Sequence, residues 1–251
     1  MVLAAVATLL GAGLQSATGF GFVLILGPAM FALLDPAAAL TTLLCLAAVL
    51  NLLVLFTERR RLHVRGRDLR TILMASVPGL LIGVLILETL TKPTLQVLVG
   101  IAIVSAALLQ LRFGAPSRRR AVADDAPHRV APAETALAGL LTGAFTTTTG
   151  TNGPPMVLWL QRAGATPAEV RDTLAGAFLA LSVAGALVLA FTVGEPQQLE
   201  LDVVGPLLAL VVVGQRLGRL AFERIDPVRF RQAGLVLVLV AGAASISAGL
   251  A

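Results

Sequence analysis

The chain alternates long apolar runs with short charged ones. Apolar segments at 37–56, 69–90, 93–112, 170–193, 199–218 and 228–250 each hold about 20 residues, the length of a helix that crosses a hydrocarbon core. Their apolar residues follow one another without the strict alternation of a membrane strand. Helices, which satisfy their own backbone polar groups, are therefore the predicted spanning elements. Two further apolar segments, 2–34 and 135–162, are interrupted in the middle, the first by TGFGF at 18–22 and the second by TTTTGTNGPP at 146–155. The legs on either side hold about 10 to 16 residues, too short to cross alone. Each segment is thus either one broken span or a hairpin that dips in and returns.

The charges choose between these. They fall at Asp35 and in the stretches 58–70, 88–92, 112–134, 162–172, 195–202 and 216–231. If each interrupted segment crosses once, the 19 basic residues divide almost evenly between the two sides. If each is a hairpin, 58–70, 112–134, 162–172 and 216–231 share a side, and every basic residue except Lys92 lies there. Because Lys and Arg accumulate on the cytoplasmic side, the hairpin arrangement is predicted. Both termini, Asp35, Lys92 and Glu195 then face outside, and Arg60, Arg119, Arg171 and Arg229 face the cytoplasm.

The same arrangement is written twice. A shift of 131 residues carries Leu10, Gly19 and Asp35-Pro36 onto Leu141, Gly150 and Thr166-Pro167. A shift of 135 carries Gly79, Gly83 and Glu88 onto Gly214, Gly218 and Glu223, and one of 134 carries Pro93 and Gly100 onto Pro227 and Gly234. A hairpin plus three spans crosses an odd number of times, so the second copy must run upside down relative to the first. The predicted fold is an all-α integral membrane protein of two inverted-topology repeats, each a broken or re-entrant helical hairpin followed by three transmembrane helices. Residues 1–112 and 135–251 are the repeats, and 113–134, with Pro116, Pro127 and Pro132, are a polar cytoplasmic linker.

Composition agrees. Hydrophobic residues make up 57% of the chain and charged ones 13%, against about 25% charged in soluble domains, and the mean hydropathy is +0.91. The net charge of +5 sits in connections without interleaved aromatic residues, which argues for orientation in the cytoplasmic membrane rather than for nucleic acid. The segment from Val2 to Ala17 lacks the basic start of a signal peptide, so cleavage is not expected. Cys45 reads as a small core residue, and neither His63 nor His128 has metal-ligand spacing. No metal, cofactor or catalytic residue is expected. An enzyme is disfavoured because no carboxylate pair or activated nucleophile lies within the spans.

Inverted repeats with discontinuous helices at matching positions are the architecture of secondary transporters, whose substrates bind where the repeats meet. Gly153-Pro154-Pro155 reads as the start of a return helix, since proline suits a first helical turn. Gly19-Phe20-Gly21 makes the equivalent break. Two helix N-termini approaching each other make a pocket of partial positive charge suited to an anion. The candidate ligands are Gln15, Ser16, Thr18, Gly19, Phe20 and Gly21 at one tip and Thr148, Thr149, Gly150, Thr151, Asn152 and Gly153 at the other. Asn51 and its repeat equivalent Ser182 are candidates to line the cavity or to bond between helices, and Arg216 is a candidate for a cytoplasmic vestibule. Gly79, Gly83, Gly214 and Gly218 have the spacing of close helix packing.

LLGAGLQSATGFGFVLILGP, TGTNGPPMVLWL and the P-G-x3-G of span 69–90 resemble the TauE/SafE family of sulfite exporters over nearly the whole chain. The resemblance implies transport of sulfur-containing anions such as sulfite, sulfoacetate or other organosulfonates, with protons as the coupling ion. The chain departs from the family's usual run of glycines at the first break by carrying Phe20 and Phe22. A passive anion channel and a carrier of small carboxylates are the alternatives.

Overall fold

The computed structural model describes residues 1–57, 63–113, 130–192, 201–224 and 227–250, and all regular structure in them is helical. In chain order the helices are α1 (Val2–Thr18), α2 (Phe22–Leu33), α3 (Pro36–Thr57), α4 (Gly66–Thr89), α5 (Lys92–Phe113), α6 (Pro132–Thr148), α7 (Gly153–Arg162), α8 (Pro167–Thr192), α9 (Leu201–Arg224) and α10 (Pro227–Leu250). Five stretches, Pro36–Thr57, Gly66–Thr89, Ala168–Thr192, Asp202–Ala221 and Gln232–Leu250, are long and apolar enough to cross a membrane. Val2–Ser16, Phe22–Leu33 and Lys92–Leu108 are shorter apolar helices. The protein is a multi-pass helical membrane protein. Most of the linker, 114–129, lies outside the described residues, as do Arg60, Arg119 and Glu195 and the side chain of Arg229.

Local signals set the helix starts. Thr166-Pro167 opens α8 with a capping box: the Thr166 N–H and hydroxyl donate to Glu169 Oε2 at 2.7 and 2.9 Å, and the Glu169 N–H donates back to Thr166 Oγ1 at 3.3 Å. This satisfies donors that the first helical turn leaves without partners.

The two interrupted segments double back. In a continuous helix Gly11 and Phe22 would be about 16 Å apart, yet a side chain on Gly11 would lie 3.0 Å from the Phe22 carbonyl oxygen. At the second segment Trp159 Nε1 donates to Thr135 Oγ1 at 3.0 Å, and Arg162 pairs with Glu134 at 3.5 Å. The end of α7 therefore returns to the start of α6. Arginine-rich connections gather at that same end of the bundle. Arg65 Nη1 donates to the Ala163 carbonyl at 2.8 Å, the His63 N–H to Asp172 Oδ2 at 2.8 Å, and Arg219 Nη1 to the Thr57 carbonyl at 3.0 Å.

The halves embrace each other by matching contacts. Gly79 and Gly83 of α4 lie against Leu140 and Ala144 of α6, while Gly214 and Gly218 of α9 lie against Leu9 and Gly13 of α1. The shift of 131 residues carries Leu9 and Gly13 to Leu140 and Ala144, so the second pairing repeats the first. A side chain on Gly83 would run into Ala144, and one on Gly218 into the Gly13 backbone. Lipid tails are as apolar as Leu, so this close approach and hydrogen bonds between helices hold the pairs together. Thr147 Oγ1 donates to the Leu80 carbonyl at 2.7 Å and Thr148 Oγ1 to that of Gly83 at 3.0 Å.

Helix α5 packs against α10, with Gly249 opposite Pro93 and Val97, Ser245 Oγ donating to the Gln96 carbonyl at 2.7 Å, and Gly242 opposite Gly100 and Val104. The numbers rise along one helix as they fall along the other, so the two run antiparallel. Helix α3 crosses α8, with Leu44 against Gly185.

Candidate functional site

Both reversals are built on glycine. Gly19 ends α1 at φ 87°, its N–H donating to the Gln15 carbonyl at 2.8 Å, and Gly21 precedes α2 at φ 122°. Gly150 turns the second tip at φ 73°. These left-handed conformations cost glycine nothing and strain other residues. Tip two is braced by its own side chains. Thr149 Oγ1 and Thr151 Oγ1 are 2.6 Å apart, and Asn152 Nδ2 reaches back across the reversal to Thr146 Oγ1 at 3.2 Å.

The tips enclose a cavity together with the middle of the α3–α8 crossing. Its walls include Gln15, Phe20 and Gly21 from tip one, Gly150, Thr151, Asn152 and Gly153 from tip two, Ala47 and Asn51 from α3, and Phe178 and Ser182 from α8. The space open to the centre of a water molecule is about 30 Å³. Its walls pair up under the shift of 131 residues: Phe20 with Thr151, Gly21 with Asn152, Val23 with Pro154, Ala47 with Phe178, and Asn51 with Ser182. The cavity therefore lies where the two halves exchange contacts. None of the described residues lining it is charged. Hydroxyls, carboxamides and the ends of α2 and α7 supply its polarity, and helix N-termini carry partial positive charge.

Gln15 is engaged at both ends of its carboxamide. Its Nε2 donates to Asn51 Oδ1 at 2.9 Å, and its Oε1 accepts the Phe22 N–H at 3.1 Å. Asn51 Nδ2 in turn donates to the Ala47 carbonyl at 2.7 Å. Gln15 and Asn51 are 4% and 1% exposed, so each needs these partners.

Several expected ligands are placed elsewhere. Ser16 Oγ donates to the Gly13 carbonyl at 3.0 Å, and Thr148 is committed to Gly83. Thr149 supports Thr151 from behind. Gly19 is covered by the stem of Arg171, and Arg216 is exposed on α9, away from the cavity. The Thr18 side chain lies outside the described residues. Sequence reasoning passed over Ala47 and Phe178. Each lies one helical turn before Asn51 or Ser182 and so on the same face, which is the signal that identifies them.

Such a site can hold a small anion by hydrogen bonds, and no carboxylate, imidazole or thiol is among the described residues that line it. A family model described as sulfite exporter TauE/SafE matches residues 3–245. The chain belongs to the TauE/SafE family. The TauE/SafE match covers both interrupted segments and the whole wall of the cavity, and the family is one of transporters rather than enzymes. Comparison with curated proteins and with solved structures gave no match.

Proposed function

We propose that this TauE/SafE protein is a secondary transporter that moves a sulfur-containing anion, sulfite, sulfoacetate or another organosulfonate, across the cytoplasmic membrane by alternating access. The anion binds in the cavity between the tips, which Gln15, Gly21, Thr151, Asn152, Gly153 and Ser182 surround. Residues 1–112 and 135–251 act as inverted repeats on either side of it. The observation that carries this reading is the cavity itself: one space is walled by both interrupted segments and by equivalent residues of the two halves. Inverted-repeat carriers bind their substrates at such a junction. The antiparallel pairing of the equivalent helices α5 and α10 supports the inversion. The gathering of Arg65, Arg162 and Arg219 at one end supports a cytoplasmic placement of that end, with both termini outside.

Reconstitution in liposomes tests it. With a proton gradient imposed, sulfite or sulfoacetate is expected to accumulate against its own gradient. Flux that only dissipates a gradient identifies a channel instead, and preference for acetate over sulfonates identifies a carboxylate carrier.

A further inference from the structure

The two tips are unequal in the donors they offer. In α2 the first helical bond is from the Ile25 N–H to the Gly21 carbonyl, so the N–H groups of Phe22, Val23 and Leu24 come before it. In α7 the matching residues are Gly153, Pro154 and Pro155, and proline has no N–H to give. The α2 end is therefore the stronger backbone site for an oxyanion, and Val23 and Leu24 both line the cavity.

That end is already partly filled. Gln15 Oε1 takes the Phe22 N–H at 3.1 Å, as an anionic oxygen would, while Asn51 anchors its amide nitrogen. Across the cavity Ser182, 2% exposed, hydrogen-bonds to no described residue. Ser182 lines the cavity, so its hydroxyl can take a partner there.

We propose that Gln15 is a built-in ligand of the α2 N-terminus that an incoming anion must displace, and that its carboxamide thereby sets the affinity of the site. The bound anion then takes the Phe22 N–H from one side and the Ser182 hydroxyl from the other. This rests on the reading of the cavity as an anion site. The competition is direct: a hydrogen bond already made by the empty protein is subtracted from the binding free energy of whatever replaces it.

Calorimetry on purified full-length protein tests this with methanesulfonate, whose charge is constant where carboxyl groups titrate. Gln15→Glu puts a tethered carboxylate at the donor the anion needs, and binding at neutral pH is expected to fall at least a hundredfold; because its second oxygen meets Asn51 Oδ1 where Nε2 donated, the melting temperature is expected to fall as well. Gln15→Met removes the internal acceptor, and binding is expected to tighten about fivefold, the equivalent of one ordinary hydrogen bond. Wild-type affinity in folded Gln15→Glu, or weakened binding in Gln15→Met, overturns the proposal while wild-type binding keeps the site. If Gln15→Glu does not fold, the Gln15→Met result alone decides. A wild-type protein that binds neither methanesulfonate nor sulfite removes the site and the proposal together.

Discussion

Asn152 offers the most direct test of where the anion sits. It is 7% exposed, lines the cavity beside the start of α7, and donates through Nδ2 to Thr146 Oγ1 at 3.2 Å. Asn152→Asp keeps the shape but replaces that donor with a second acceptor. It also places a carboxylate at a helix N-terminus, which favours its charged form by about 0.3–1 kcal/mol. In so small a space any bound anion lies close to it. At about 4 Å and an effective dielectric of about 20, two like charges repel by about 4 kcal/mol, roughly a thousandfold in Kd. Asn152→Ala loses only one hydrogen bond, about 1–2 kcal/mol, so its Kd is expected to rise by roughly tenfold. Sulfite titration of purified protein measures both, with the fluorescence of Trp159, the single tryptophan, reporting that the α6–α7 pair is intact. An aspartate variant with unchanged fluorescence and melting that binds sulfite within tenfold of wild type would refute binding at this tip.

The remaining predictions concern architecture. Gly83→Val and Gly218→Val each force a side chain into a neighbouring helix backbone, and detergent melting is expected to show a loss of about 1–3 kcal/mol for either. Gly66→Ala, with nothing within 4 Å of the added carbon, is the control expected to show no such loss. In a Cys45→Ser background, Gly100→Cys with Gly242→Cys is expected to cross-link on oxidation, and Gly100→Cys with Gly234→Cys is not; the reverse result would refute this register of α5 on α10. Arg60→Cys and Glu195→Cys are expected to react with an impermeant maleimide from opposite sides of the membrane. Labelling of both from one side would sink the inverted arrangement.

Much of this was legible because the bilayer restricts what a sequence can mean. Charged residues mark where chain leaves the membrane, so α3, α4, α5, α8, α9 and α10 follow from where charges fall. The breaks at TGFGF and TTTTGTNGPP are visible because glycine, proline and hydroxyl residues are costly in an apolar helix unless something uses them. What the pattern could not assign is the partner of each hydroxyl. Thr148 and Thr151 look alike in sequence, yet one binds the Gly83 carbonyl of α4 and the other faces the cavity. That difference depends on where α6 ends and the chain turns back, which a stretch of threonines does not specify. Phe178 was passed over for a related reason, since an aromatic residue in a membrane span reads as packing until a polar neighbour one turn away gives its face a purpose.

The parallel pairing of α1 with α9 also bears on how the protein is made. The groove that receives Leu9 and Gly13 is formed by Gly214 and Gly218, near the far end of the chain. During synthesis the first hairpin must therefore wait for this groove until most of the ribosome's work is done, although Gln15 and Ser16 find their partners Phe22, Asn51 and Gly13 earlier. Helix α6 faces no such delay, because α4 precedes it and is waiting when it emerges. Insertion of the second hairpin is thus templated and that of the first is provisional, so chains truncated before α9 should be the ones that cellular quality control removes.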